Sequence, residues 1–277
     1  MNDGMRLPAD EDRIEALVLR SAGTNCDGEL VRAFEAAGAR VDLLHLNALA
    51  RDPTRLAHAS ILAIAGGFSY GDYVAAGRVF GIELRHRLDG PLHDFVARGG
   101  LCLGVCNGFQ ILVELGLLQD PGLAPAERTI ALTDNASNRF ECRWVTLREE
   151  ACAASWIVPG RLLPVPVAHA EGRFLVRDPE TLAELHERGQ IALTYVDPND
   201  PAAEEVAYPL NPNGSTANIA GVCDPTGRVL GLMPHPERNL TPWNHPLWTR
   251  MGPRTEGEGL SFFRRMVEAA RDATVVS

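Results

Sequence analysis

The sequence predicts an α/β fold in which a mostly parallel sheet is flanked by helices. Short apolar runs, typical of buried strands, occur at 14–19, 41–46, 61–65 and 101–105. Segments with helical spacing of apolar residues lie at about 28–37 and directly after Cys106. Strands and helices that alternate in this way indicate a parallel sheet with crossover helices.

Glycine residues set the predicted ends of these elements. The first helix should end at Gly38, because glycine readily adopts the left-handed conformation of a helix C-cap. The third strand should end at Gly66-Gly67, and a looser, partly helical stretch should cover 73–98. Gly66-Gly67 and Cys106 both follow carboxyl ends of strands, so we expect them to share the crevice where such sheets bind ligands.

The second half of the chain is predicted to hold short elements separated by longer loops. Strands are expected at 140–147, 191–196 and 229–233, and helices at 181–188 and 259–271. Pro166 makes 165–174 an edge strand or a loop, since proline cannot donate a ladder hydrogen bond. The proline-rich segment 197–213 is predicted to be a long loop that serves function or contacts a partner.

The domain organisation is predicted to be simple. Residues 1–13 are polar and acidic and are expected to form a flexible lead-in. Residues 14–277 contain no repeat and no clear linker, so they are predicted to form a single domain.

Composition argues against several classes of function. The net charge is −10, which disfavours nucleic acid or an anionic membrane as the main partner. All 26 basic residues are arginine, so this sequence offers neither a P-loop lysine nor a Schiff-base lysine. It contains no membrane-spanning apolar run and no signal-peptide core, and a cytoplasmic location is expected. The six cysteines show no metal-ligand spacing, so no metal site is predicted.

The segment 100–112 has the layout of a nucleophile elbow. The apolar run 101–105 stops at Gly104-Val105-Cys106-Asn107-Gly108, and a helical pattern follows. Glycines at these positions permit a sharp strand-to-helix turn with a strained central residue. Cys106 would then lie at a helix N-terminus, where the helix dipole favours a thiolate. The alternative is that Cys106 is a buried core cysteine, a common role for a free thiol.

A second motif supplies partners for this cysteine. The strand at 229–233 leads into Pro234-His235-Pro236-Glu237, and residues i and i+2 of extended chain face the same way. His235 would serve as the base, and Glu237 would hold its tautomer and orientation. The alternatives are a structural histidine and a surface ion pair of Glu237 with Arg238 or Arg250. The order Cys-His-Glu argues against an α/β-hydrolase, where the acid precedes the histidine.

These motifs together resemble a known enzyme family. The segments 104–110 and 234–238 are similar to the elbow and the His-Pro-Glu motif of class I glutamine amidotransferases. Segments 66–73, 166–172 and 211–221 narrow the resemblance to the glutaminase subunits of phosphoribosylformylglycinamidine synthase, which act in purine biosynthesis. The resemblance implies a flavodoxin-like architecture. It also implies that Cys106 attacks the amide of L-glutamine, assisted by His235 and Glu237.

The resemblance assigns further residues. The backbone N–H groups of Gly67 and Asn107 are expected to form the oxyanion hole, and Gln110 is expected to lie beside the substrate. His169 also matches a family motif, and we expect it to serve as loop scaffolding.

The resemblance also implies partners. No cofactor is expected in this chain, whereas ATP and Mg²⁺ would bind a separate synthetase subunit that uses the ammonia. A small accessory subunit would complete the complex. The segments 68–77 and 197–213 are the candidate docking surfaces.

The sequence leaves two rival functions open. A stand-alone cysteine amidase or γ-glutamyl hydrolase of the same fold would work without a partner, and a non-catalytic regulatory module would not need Cys106. The segments 1–13, 197–209 and 243–254 look longer than the compact family form, so they leave the docking surface open.

Overall fold

The computed structural model describes residues 13–120, 123 and 127–275. Its strands are β1 (Glu15–Arg20), β2 (Arg40–His45), β3 (Ile61–Ile64), β4 (Leu101–Val105), β5 (Ile130–Thr133), β6 (Glu141–Glu149), β7 (Leu162–His169), β8 (Arg173–Val176), β9 (Ile191–Val196), β10 (Ile219–Cys223) and β11 (Val229–Leu232). Its helices are α1 (Asp27–Ala36), α2 (Leu46–Arg51), α3 (Arg55–His58), α4 (Arg78–Ala97), α5 (Asn107–Leu115), α6 (Pro179–Glu187) and α7 (Glu258–Val275). The lead-in predicted for 1–13 lies outside the described residues except for Arg13, and the single-domain assignment stays a prediction.

One nine-stranded sheet organises the described part of the chain. Its strand order is β2-β1-β3-β4-β11-β10-β9-β6-β7. The strands from β2 to β11 pair in parallel, and the remaining pairs are antiparallel. The predicted α/β fold with a helix-flanked sheet is confirmed, and the predicted parallel pairing holds from β2 to β11. The sequence pattern does not predict that half of the sheet continues as antiparallel pairs.

The centre of the sheet explains the continuous apolar runs. Every residue of β3 and β4 is buried, as expected for parallel strands covered on both faces. The stretch 73–98, predicted to be loose and partly helical, is more regular than expected, because α4 is a helix of 20 residues despite Pro91. Its buried face includes Phe80, Leu84 and Leu88 at helical spacing, and this burial outweighs the local cost of the proline.

Strand β7 forms the edge of the sheet, as Pro166 indicates. It pairs with β6 along its whole length, so the strand alternative is right and the loop alternative is wrong. On its open edge the carbonyl of Pro166 accepts the backbone N–H of His235 at 2.9 Å. The carbonyl of Pro164 accepts a hydrogen bond from the Asn239 side chain at 2.7 Å. The edge strand therefore holds the segment that follows β11.

Several elements lack a strong local signal in the sequence. Strand β10 is short, contains Gly221 and is completely buried. Strands β5 and β8 form a separate two-stranded sheet, in which Phe174 stacks on Phe109 of α5 with ring centroids 6.2 Å apart. These elements exist because tertiary packing buries them. Among the described residues, no helix is both long enough and apolar enough to cross a membrane.

Candidate active site

Cys106 lies at the bend between β4 and α5. Its backbone has φ 53° and ψ −108°, a conformation that non-glycine residues rarely adopt and that is concentrated at functional sites. The flanking glycine is required, because a Cβ on Gly108 would lie 2.0 Å from the carbonyl oxygen of Ile64. The backbone N–H of Cys106 donates to the carbonyl of Leu232 at 2.8 Å. The end of β11 is thereby tied directly to the elbow.

His235 and Glu237 form a buried pair next to this bend. They flank the start of a 3-10 turn, Pro236–Arg238. Nδ1 of His235 lies 2.6 Å from Oε1 of Glu237, and both residues are almost completely buried. Such a carboxylate fixes the tautomer and the orientation of an imidazole. The surface ion pair considered for Glu237 is therefore wrong.

The second ring nitrogen of His235, Nε2, is placed to exchange a proton with the thiol of Cys106. Nε2 is buried and makes no aligned hydrogen bond within the described residues. Burial alone would lower the pKa of His235, but the charges of Glu237 and Cys106 outweigh burial and raise this pKa to about 10. A protonated imidazole therefore persists beside Cys106 at neutral pH.

The Gly66-Gly67 turn lies beside both catalytic candidates. A Cβ on Gly66 would lie 3.1 Å from Cε1 of His235 and 3.3 Å from Cβ of Cys106. Gly67 has φ 138° and faces Thr24 in an isolated antiparallel bridge. The hydrogen bonds of this bridge are donated by Asn25 and Phe68, because Gly67 occupies the non-hydrogen-bonded position. Its N–H is thus not consumed by the bridge, as an oxyanion donor requires.

Replacing Gly67 by alanine is expected to lower kcat for ammonia release from glutamine by about 100-fold or more, the effect of losing one oxyanion donor. The added Cβ would lie 2.6 Å from the backbone nitrogen of Asn25, so the turn must move. Gly38→Ala is the matched control, since Gly38 has φ 93° and nothing within 4 Å of an added Cβ. Urea unfolding should show a loss of about 1–3 kcal/mol in the control, with kcat unchanged. Equal kcat in both variants would contradict the role of Gly67.

Asn107 and Gln110 link the elbow to neighbouring loops through their side chains. Oδ1 of Asn107 accepts the backbone N–H of Ser69 at 3.3 Å, and its Nδ2 donates to Oε1 of Gln110 at 2.9 Å. Nε2 of Gln110 donates to the carbonyl of Glu171 at 2.5 Å. Both polar ends of Gln110 are therefore engaged within the protein, while the backbone N–H of Asn107 starts α5 and has no partner within the helix.

His169 lies at the end of β7 in a separate buried network. Its Nδ1 is 3.0 Å from Oδ1 of Asn135, which also accepts the backbone N–H of Gly172 at 3.1 Å. Burial, reinforced by the charge of His235, lowers the pKa of His169 to about 3. His169 is thus neutral at physiological pH, and its contacts agree with the expected scaffolding of the 169–172 loop.

Sequence reasoning misses one side chain at this site. Cys26 is the N-cap residue of α1, but its side chain makes no cap hydrogen bond. Its Sγ instead accepts a hydrogen bond from Arg238 at 3.0 Å, and it lies close to His235 and Glu237. Burial raises the pKa of the Cys26 thiol to about 12, although Arg238 opposes this rise. No local pattern in the sequence could have placed Cys26 here.

The chain resembles known proteins over most of its length. Residues 13–269 match the model of the CobB/CobQ-like glutamine amidotransferase domain. The chain is 42% identical over 260 residues to the phosphoribosylformylglycinamidine synthase subunit PurQ of Dehalococcoides mccartyi, covering 94% of this chain and 98% of that protein. The PurQ subunit of Archaeoglobus fulgidus is 38% identical over 274 residues, with 94% and 98% covered.

A solved structure agrees with these relatives. The structure of PurLQS from Thermotoga maritima matches with a TM-score of 0.67 and 31% identity, covering 92% of this chain and 98% of the matched chain. A glutamine amido transferase from Methylobacillus flagellatus, with a TM-score of 0.50 and 14% identity over 96% of this chain and 94% of that chain, shares the fold. The chain therefore belongs to the CobB/CobQ-like glutamine amidotransferases and, among them, to the family of phosphoribosylformylglycinamidine synthase subunit PurQ.

Proposed function

We propose that this chain releases ammonia from L-glutamine through a Cys106–His235–Glu237 triad. The observation that carries the proposal is the buried 2.6 Å contact between His235 and Glu237 beside a cysteine with φ 53°. Sγ of Cys106 attacks the carboxamide carbon of glutamine, and the imidazolium of His235 protonates the departing nitrogen. Ammonia leaves, and a glutamyl thioester remains on Cys106.

The second half of the reaction reuses the same groups. His235, now neutral, takes a proton from water, and the resulting hydroxide attacks the thioester carbon. Glutamate leaves as the carbon–sulfur bond breaks, and the proton held by His235 restores the starting state. The net reaction is glutamine and water to glutamate and ammonia. We assign the N–H groups of Gly67 and Asn107 to the oxyanion of both tetrahedral intermediates.

We further propose that the ammonia passes to a PurL-type synthetase subunit, as in the relatives named for that complex. The support is an exposed apolar group near the elbow, called here the rim patch: Phe68, Tyr73, Val74 and Phe140. Tyr73 and Val74 are 76% and 84% exposed, and Phe68 stacks on Phe140 with centroids 6.4 Å apart. Large exposed apolar side chains grouped on so short a segment, 68–74, with Phe140 beside it, are typical of a protein interface.

The backbone of the rim patch supports the same assignment. Val74 has φ 74°, which is strained for a β-branched residue. Asp72, two residues earlier, has φ 53°. Nδ2 of Asn107 donates a hydrogen bond to Oδ1 of Asp72 at 3.4 Å. A partner that seats on the rim patch can therefore act on the elbow through Asp72. In this proposal ATP and Mg²⁺ bind the synthetase, and a small accessory subunit assists.

The test compares ammonia release by the purified chain with release in the reconstituted complex. Docking is expected to raise kcat about tenfold or more, a typical magnitude for coupling between sites. Tyr73→Glu should abolish this stimulation, and Leu43→Glu, at an exposed residue of the sheet-edge strand β2, should preserve it. A stand-alone hydrolase would instead be as fast without the partner, and a non-catalytic module would release no ammonia in either assay.

A further inference from the structure

Three metal-ligating side chains converge beside the elbow. Cys26 ends the turn before α1, and His235 and Glu237 follow β11. One ligand atom from each of the three lies within 4.8 Å of the other two, and all three residues are buried. The spacing 26, 235 and 237 has no motif in the sequence, so the fold alone assembles this cluster.

One polar atom of the cluster has unused hydrogen-bonding capacity. Oε2 of Glu237 is buried and has no hydrogen-bond partner within the described residues, in contrast to Oε1, which contacts His235. Buried polar atoms are nearly always satisfied in native proteins, so Oε2 of Glu237 indicates a group that binds here.

We propose that Cys26, His235 and Glu237 form a binding site for a thiophilic divalent cation of the Zn²⁺ class. Thiolate, imidazole and carboxylate are the ligands that zinc takes in proteins, at about 2.0–2.3 Å, and three protein ligands leave one position open. Those bond lengths place the ligand atoms roughly 3.5 Å apart around the ion. The ligand atoms, which lie within 4.8 Å of one another, would therefore move together around the ion. Binding is not a redox step, since the Cys26 thiol and the His235 imidazolium each release a proton to solvent.

Arg238 and a neighbouring cleft form the surroundings of this site. Arg238 donates to Sγ at 3.0 Å, and a guanidinium in that position stabilises a thiolate. Glu237 and Arg238 also line a cleft of about 960 Å³ whose walls include Glu29, Glu256 and Trp243. The cleft gives a cation a path to Glu237.

Occupation of this site would stop the glutaminase reaction, a consequence that rests on the proposed function. An imidazole bound to a cation cannot carry the proton between Cys106 and the leaving nitrogen. A carboxylate bound to a cation no longer orients that imidazole. Zinc would thus act as a reversible inhibitor that leaves the Cys106 sulfur unmodified.

The experiment measures Zn²⁺ binding to the chelator-treated full chain by competition with a chromophoric chelator. One equivalent is expected to bind, and Cys26→Ser should weaken binding at least tenfold, as removal of a ligand exceeds the roughly 10- to 100-fold cost of removing a supporting residue. Glu237→Gln, which preserves side-chain shape, should also weaken binding. The control variants Cys142→Ser and Cys152→Ser, which remove the more accessible thiols, should bind as the native chain does. Cobalt(II) should give a thiolate charge-transfer absorption that Cys26→Ser abolishes.

Ammonia release from glutamine is measured separately, and the rate of each variant with Zn²⁺ is divided by the rate of the same variant without metal. The Zn²⁺ concentration for half-inhibition should rise at least about tenfold in Cys26→Ser, in parallel with the binding constant. Native-like binding by Cys26→Ser, or loss of binding in Cys106→Ala, would overturn the site, since the nucleophile would then be the ligand. Binding that depends on Cys26 without inhibition would uphold the site and contradict the catalytic roles of His235 and Glu237.

Discussion

Cys106→Ala is expected to lower kcat for ammonia release from glutamine by at least about a thousandfold, because no other group at the elbow can form the thioester. The substitution keeps the Cβ, so the strained backbone at φ 53° and the fold should be retained. Steady-state ammonia release measures the first effect, and urea unfolding checks the second. Rapid-quench mass spectrometry of the native chain should also detect the glutamyl adduct that the variant lacks.

The matched control for this prediction is Cys102→Ala. Cys102 is a buried residue of β4 in the same segment, but its thiol lies in the core, where burial raises its pKa to about 12. This control should lose stability with little change in kcat. The reconstituted complex with Cys106→Ala should still make product from added ammonium salts. Glutamine turnover by Cys106→Ala near the native rate would refute the nucleophile assignment.

Glu237→Gln is expected to lower kcat by about 10⁴-fold, the loss seen when the orienting acid of a catalytic triad becomes an amide. The amide can donate to Nδ1 of His235 and so stabilise the wrong tautomer, with Nε2 protonated in the neutral form. KM should change little, because Glu237 does not face the substrate in the proposed reaction. Native kcat in Glu237→Gln would show that the 2.6 Å contact is structural only.

The same variant should change the pH dependence of stability. Burial lowers the folded-state pKa of His235, but Glu237 and Cys106 outweigh burial and raise this pKa from 6.5 to about 10. The imidazolium therefore contributes stability that is complete below about pH 6.5 and is lost as the pH rises through about 10. Glu237→Gln removes the charge that raises the pKa most, so the fall in unfolding free energy over this window should be smaller than in the native chain. Urea unfolding at several pH values measures the difference, and parallel curves would contradict the shifted pKa.

Local patterns in the sequence predict the elements on which the elbow is built. Continuous apolar runs identify β3 and β4, because parallel strands at the centre of a sheet are buried on both faces. The antiparallel pairing of the strands beyond β11 has no such signal in the sequence. Strand β10 is five residues long and contains Gly221, so only its packing between β9 and β11 makes it a strand.

What the sequence by itself determined is the chemistry of single positions: glycines around Cys106, and His235 and Glu237 two residues apart in extended chain. Such short-range relations depend only on backbone sterics and side-chain direction. The tertiary structure alone decided what meets these groups, including the Gly67 turn and the thiol of Cys26, which lies 212 residues from Arg238 in sequence but 3.0 Å away in space. Contacts at such separation follow from the order of strands in the sheet, which brings the ends of β1, β3, β4 and β11 to one edge, and no local pattern encodes that order.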